Sequence, residues 1–167
     1  MKRARLKIAG LLSTAFLIGA VMVPSAATAA DGAEDNPVVS VTQDGPMETI
    51  TYEDGATFTS NTLARAGSFT WNADFSASLY SRLWSTGGTG DIWIDVGAIS
   101  KCANGTIKLG LYRGDYTQVG TTRAVSCSGG SYVWRTVPQG SFRFQIWDNN
   151  TGDGYFPHYT AGKTRYV

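Results

Sequence analysis

From Met47 onward, short runs of Val, Ile, Thr and aromatic residues are separated about every ten residues by Gly- and Asn-containing turns, the punctuation of an all-β chain. Phe142, Phe144 and Ile146 alternate with Arg143, Gln145 and Trp147, which predicts a half-buried strand with the first three residues inward. Ile92, Ile94 and Val96 share this period, as do Ile107, Leu109 and Leu111. Phe69, Trp71, Ala73, Phe75, Ala77, Leu79 and Leu83 all occupy odd positions, a pattern too long for one ordinary strand. It reads as two strands, or as one broken by a bulge. A helix from Asp74 to Trp84 is the alternative, weakened by the poor helix propensity of its serines.

Turn chemistry suggests how these runs pair. Asp54-Gly55 and Asn104-Gly105 suit two-residue hairpin turns. Around the second, Cys102 would face Ile107, Ser100 would face Leu109 and Ala98 would face Leu111, leaving Trp93, Asp95, Ile99, Tyr112 and Tyr116 outward. A further hairpin at Gly129-Gly130 would set Cys127 against Tyr132 and Val125 against Trp134. The turn Val137 to Gly140 joins the next two runs. Roughly eight to ten strands with two inward sets predict an antiparallel β-sandwich, jelly-roll or immunoglobulin-like, with a small β-barrel as the alternative.

The first 30 residues do not belong to this pattern. A basic start (Lys2, Arg3, Arg5, Lys7), an apolar stretch from Ile8 to Val23, Pro24 and the small residues Ala27-Thr28-Ala29 form the tripartite layout of a secretory signal peptide. The apolar core, about sixteen residues, is short of the roughly twenty that span a bilayer, and no second long apolar run follows. Residues 31–46 carry four acids, two prolines and no base, and read as an acidic mobile leader, either linker or propeptide, with an edge strand as a further option. The β-sandwich domain is expected over 47–167.

Charge changes the picture once the signal is set aside. Four of the fourteen bases lie in it, leaving ten against thirteen acids, a net charge of −3. That balance argues against an electrostatically driven nucleic-acid partner. Cys102 and Cys127, the only cysteines, read as one disulfide in an oxidising compartment. Their spacing is not that of a redox dithiol, and with a single histidine they make a poor zinc site.

Candidate chemistry is sparse. The chain has no Gly-x-Ser-x-Gly, His-Glu-x-x-His or phosphate-loop motif. His158, the only histidine, lies in an aromatic stretch and reads as a surface or packing residue. Asp91, Asp95, Asp115, Asp148 and Asp153 could supply a carboxylate pair for glycoside cleavage. The segment Asp148 to Gly154 has the oxygen density of a calcium loop, but its sixth position is Asp153 where glycine is required, so it reads as a turn.

Aromatic residues are more informative: five tryptophans and eight tyrosines, several placed opposite the inward set. Flat rings beside amides and carboxylates suit sugar recognition. The candidate ligand-binding residues are Trp147, Asp148, Asn149, Asn150, Asp153, Trp93 and Tyr112. The expected function is a secreted, extracellular, non-catalytic module that recognises a polysaccharide or cell-envelope glycan, needing no cofactor or metal. The alternatives are a secreted protein antagonist, meaning an enzyme inhibitor or small antibacterial toxin with an extracellular protein partner, and a small glycan-active hydrolase.

Overall fold

In the computed structural model, residues 36–62, 67–103, 107–149 and 157–167 are described. The expected signal peptide, the Asn104-Gly105 turn, Asn150 and Asp153 lie outside them. Alternation holds where the sequence shows it most clearly. Phe142, Phe144, Ile146, Ile107, Leu109, Leu111 and Ile94 are fully buried, and Phe69, Trp71, Ala73, Phe75, Ile92 and Val96 nearly so.

The described residues form twelve strands: β1 (Val38–Asp44), β2 (Met47–Tyr52), β3 (Thr57–Asn61), β4 (Ser68–Phe75), β5 (Ser78–Tyr80), β6 (Trp84–Ser85), β7 (Gly90–Val96), β8 (Ile107–Arg113), β9 (Gln118–Ala124), β10 (Gly130–Val137), β11 (Ser141–Asp148) and β12 (His158–Arg165). One sheet runs β1-β2-β3-β4-β12-β7-β10, and the other β5-β11-β8-β9, with β6 also paired to β11. All pairings are antiparallel. The four-strand orders β4-β12-β7-β10 and β5-β11-β8-β9 are those of a jelly roll, here extended by three N-terminal strands. Neither sheet closes into a barrel. The long odd-position run is two strands: β4 and β5 lie in opposite sheets, and Ala77 between them is exposed.

Two expected hairpins do not form. β7 pairs with β10 and β12, while β8 pairs with β9 and β11, so the strands flanking Asn104-Gly105 lie in different sheets. The strands flanking Gly129-Gly130, β9 and β10, are likewise in different sheets. Both connections cross the sandwich, because each inward face is buried by apposition to the other sheet. Ile99, expected outward, is buried in the core. The Cys102–Cys127 disulfide is present and joins these two crossings, with both cysteines half-buried. Gly129 is required at the second crossing: its φ is +83°, and a Cβ there would lie 2.6 Å from the Gly97 carbonyl carbon.

The Asp54-Gly55 hairpin does form, shifted by one position. Tyr52 N–H donates to the Ala56 carbonyl and Gly55 N–H to the Tyr52 carbonyl, giving a three-residue loop, Glu53-Asp54-Gly55, with Gly55 at φ +85°. Within the stretch read as a leader, Val38–Asp44 is the exposed edge strand β1, paired with β2. Between the sheets, Trp71 and Phe144 meet at 5.0 Å between ring centroids, flanked by Phe58, Trp84 and Phe69.

Candidate functional site on the outer face of the smaller sheet

Strand register sorts the outward side chains of the smaller sheet into rows. Tyr112 of β8 stands opposite Arg143 of β11; Gln145 stands between Gly110 of β8 and Tyr80 of β5; Trp147 stands between Lys108 and Ser78. Burial alternates accordingly, with Arg143, Gln145 and Trp147 half-buried between the fully buried Phe142, Phe144 and Ile146. At about 3.4 Å rise per residue, Trp147 and Arg143 lie roughly 14 Å apart along one strand, with Gln145 between them.

Three tyrosines converge around Arg143. The Tyr80 ring meets Tyr112 edge-on at 5.7 Å and Tyr116 edge-on at 5.3 Å. The Arg143 guanidinium lies 4.2 Å from the Tyr116 ring centroid, and its Nη1 donates to the Tyr116 hydroxyl at 2.7 Å. Tyr112 leans over Gly110, where a Cβ would come within 2.8 Å of the ring, so glycine leaves room for it. Burial pushes the Tyr112 phenol up. A fourth tyrosine, the buried Tyr52 of β2, donates its hydroxyl to the Tyr80 carbonyl. Burial pushes its phenol well up, outweighing the opposing charge of Arg143. These upward shifts keep the Tyr52 and Tyr112 phenols protonated near pH 7.

Tyr116 is held there by an uncommon backbone. The β8–β9 loop Gly114-Asp115-Tyr116 repeats the three-residue geometry of Glu53-Asp54-Gly55: Arg113 N–H donates to the Thr117 carbonyl, and Tyr116 N–H donates to the Arg113 carbonyl. In both loops the central aspartate accepts the backbone N–H two residues on, from Ala56 in one and Thr117 in the other. The Thr117 bond lowers the Asp115 carboxyl. The position filled by Gly55 in the first loop is filled by Tyr116 in the second, at φ +67°. A bulky residue in the left-handed region costs about 1–2 kcal/mol relative to glycine, and such outliers concentrate at functional sites.

The residues singled out from sequence divide among three places. Trp147 and Tyr112 share the face just described. Trp93 lies on the outer face of the opposite sheet, with the Arg165 guanidinium 5.5 Å from its ring centroid. It therefore does not join Tyr112, contrary to the hairpin reading, because β7 and β8 belong to different sheets. Asp148, next along from Trp147, turns to the end of the sandwich, where His158 Nε2 lies 3.0 Å from its carboxylate. His158 is buried there against Phe75, with Nδ1 3.3 Å from the Ser100 carbonyl. Asn149 is exposed.

Of the acids offered for hydrolysis, Asp91, Asp95, Asp115 and Asp148 are engaged elsewhere, and Asp153 lies outside the described residues. Asp91 pairs with Arg135 at 3.1 Å and Asp95 with Arg165 at 3.0 Å. Partial burial works to raise the Asp95 carboxyl, but hydrogen bonds from Arg165 and Ser131, with the charges of Arg165 and Lys163, carry it below the usual carboxylate range. Among the described residues no group of three or more His, Cys, Asp or Glu is placed to hold a metal ion.

Tyr80, Tyr116 and Arg143 are absent from the candidates chosen from sequence, although Tyr116 and Arg143 read as outward. The available signals were the outward position of Arg143 between Phe142 and Phe144, and a tyrosine in the glycine slot of an Asp-containing turn.

No protein-family model and no curated protein matches this chain. Solved structures resemble it at low identity. The Schizosaccharomyces pombe Cnp3 cupin domain has 12% identity and a TM-score of 0.36, the match covering 77% of this chain and 69% of that one. CapF bound to the inhibitor 3-isopropenyl-tropolone has 10% identity and a TM-score of 0.39, covering 78% and 31%. The infectious bursal disease virus VP2 subviral particle has 16% identity and a TM-score of 0.36, covering 77% and 37%.

Proposed function

We propose that the chain is an exported, non-catalytic binding module whose smaller sheet engages a polysaccharide or cell-envelope glycan with its outer face. The observation that carries this reading is the row of outward side chains from Tyr112 and Arg143 through Gln145 and Tyr80 to Trp147. Ring faces cover the apolar side of a sugar, while guanidinium and amide groups bond its hydroxyls. Support for export comes from the signal-like layout of residues 1–30 and from the disulfide, a bond at home in an oxidising compartment. Protein collected from the medium should begin at or near Ala30 or Asp31 by intact mass. A chain retaining Lys2 to Val23 would remove the export part of the reading.

The test of binding is Trp147→Ala and Tyr112→Ala, each assayed for retention on insoluble glycans and for thermal midpoint. Retention should fall at least tenfold while the midpoint moves by about 3 °C or less, since the removed rings lie on the outer face. Unchanged retention with a large loss of stability would make these rings part of the scaffold. A second reading, a protein antagonist, is favoured by β1, an edge strand on which Val38, Val39 and Val41 are 53%, 60% and 59% exposed. Protein capture without glycan retention would select it.

A further inference from the structure

We propose that the ligand of the tyrosine-lined face is an anionic glycan, with a uronate carboxylate seated on the Arg143 guanidinium. This deepens the glycan reading above and rests on it. Arg143 is half-buried, its Nε is buried with no hydrogen-bond partner, and Nη1 is bonded only to the Tyr116 hydroxyl. Among the described residues no carboxylate lies within 4.0 Å of it, whereas Arg135 and Arg165 each hold an aspartate. At the positions that register places outward on β5, β8 and β11, the charged residues are Lys108 and Arg143, and no acid is present. Arg143 thus stands with no acid among these outward positions, on a chain that, without residues 1–30, carries an acidic excess.

A guanidinium drawn partly out of water among phenols has lost hydration that the phenols restore only in part. A carboxylate presents two oxygens to the solvent-facing nitrogens of the planar group, restores hydrogen bonds lost there and supplies the missing charge, while the inaccessible Nε stays beyond its reach. The φ of +67° at Tyr116 belongs to the same arrangement. The left-handed turn places that ring against the guanidinium and its hydroxyl on Nη1. This orients the fork before the ligand arrives.

The experiment measures retention of the exported protein on polygalacturonate, alginate and hyaluronate, each beside its carboxyl-reduced neutral form, with cellulose, chitin, xylan and mannan as further neutral probes. At least one acidic glycan should be held tenfold or more tightly than its reduced form, with a preference that shrinks as salt rises. Arg143→Gln should bring the acidic form down to the level of the neutral one. Arg143→Lys, which keeps the charge without the fork, should keep the preference at reduced affinity. The Lys variant carries the test if the Gln variant fails to fold. Equal retention of every acidic glycan and its reduced form overturns the charge proposal while leaving the glycan reading in place. Retention on none of the probes, acidic or neutral, overturns both.

Discussion

Removing the disulfide isolates what a covalent link between two crossings contributes to a fold whose sheets are otherwise held by packing. Cys102 and Cys127 are 25 residues apart, and both are half-buried, so a Cys102→Ser/Cys127→Ser double variant deletes little core volume. The Ile99 N–H to Cys127 carbonyl bond, which ties the same two segments, involves only backbone and survives the change. The main effect therefore falls on the unfolded chain. Closing a loop of 25 residues restricts it by about 3.5 kcal/mol on the chain-entropy relation. For a domain of about 120 to 130 residues, an unfolding entropy of about 2.1 cal/mol/K per residue converts this to a fall of about 13 °C in thermal midpoint. Circular dichroism melts of the oxidised protein and the double variant read this directly. The far-ultraviolet spectrum at 20 °C should be unchanged, and the urea m-value should rise as the released chain exposes more surface. Midpoints within about 3 °C of each other would refute the reasoning. A native spectrum that has lost strand content would show instead that the bridge builds the folded state.

Two other perturbations address the opposite sheet. Gly162→Ala should destabilise by about 1–3 kcal/mol, because a Cβ there would lie 2.7 Å from Trp71 Cε2 and press on the Asp95 carbonyl in β7; a denaturant titration matching the parent protein would contradict it. The Asp95 carboxyl is held below its ordinary value in the folded protein, so its stabilising effect is present above the unfolded value of about 4 and is lost as pH falls through the lower folded value. Unfolding free energy should therefore decline less on acidification for Asp95→Asn than for the parent protein, and parallel declines would show that the Arg165 and Ser131 contacts contribute nothing.

Inward and outward assignment was legible in the sequence because it is local. A strand's side chains alternate whatever it pairs with, so Phe142, Phe144 and Ile146 were readable as core, and Arg143, Gln145 and Trp147 as outward, without knowing any neighbour. The disulfide was equally legible, since two cysteines admit one pairing. Strand partners were not. A Gly-containing turn allows the chain to reverse, but it does not say whether the chain returns within its own sheet or crosses to the other. At the turns near residues 104 and 129 that choice follows from burying the two inward faces against each other, a requirement of the whole molecule. Because the crossings decide which outer faces exist, they also decide which aromatics meet. Trp93 and Tyr112 are separated by the thickness of the sandwich, and Tyr80, Tyr116 and Arg143 come together from β5, the β8–β9 loop and β11. Within the strands the sequence by itself determined which side chains face inward and which outward, though not in connections such as that of Ile99; only the tertiary structure decided their neighbours, because pairing is settled by long-range burial and alternation is not.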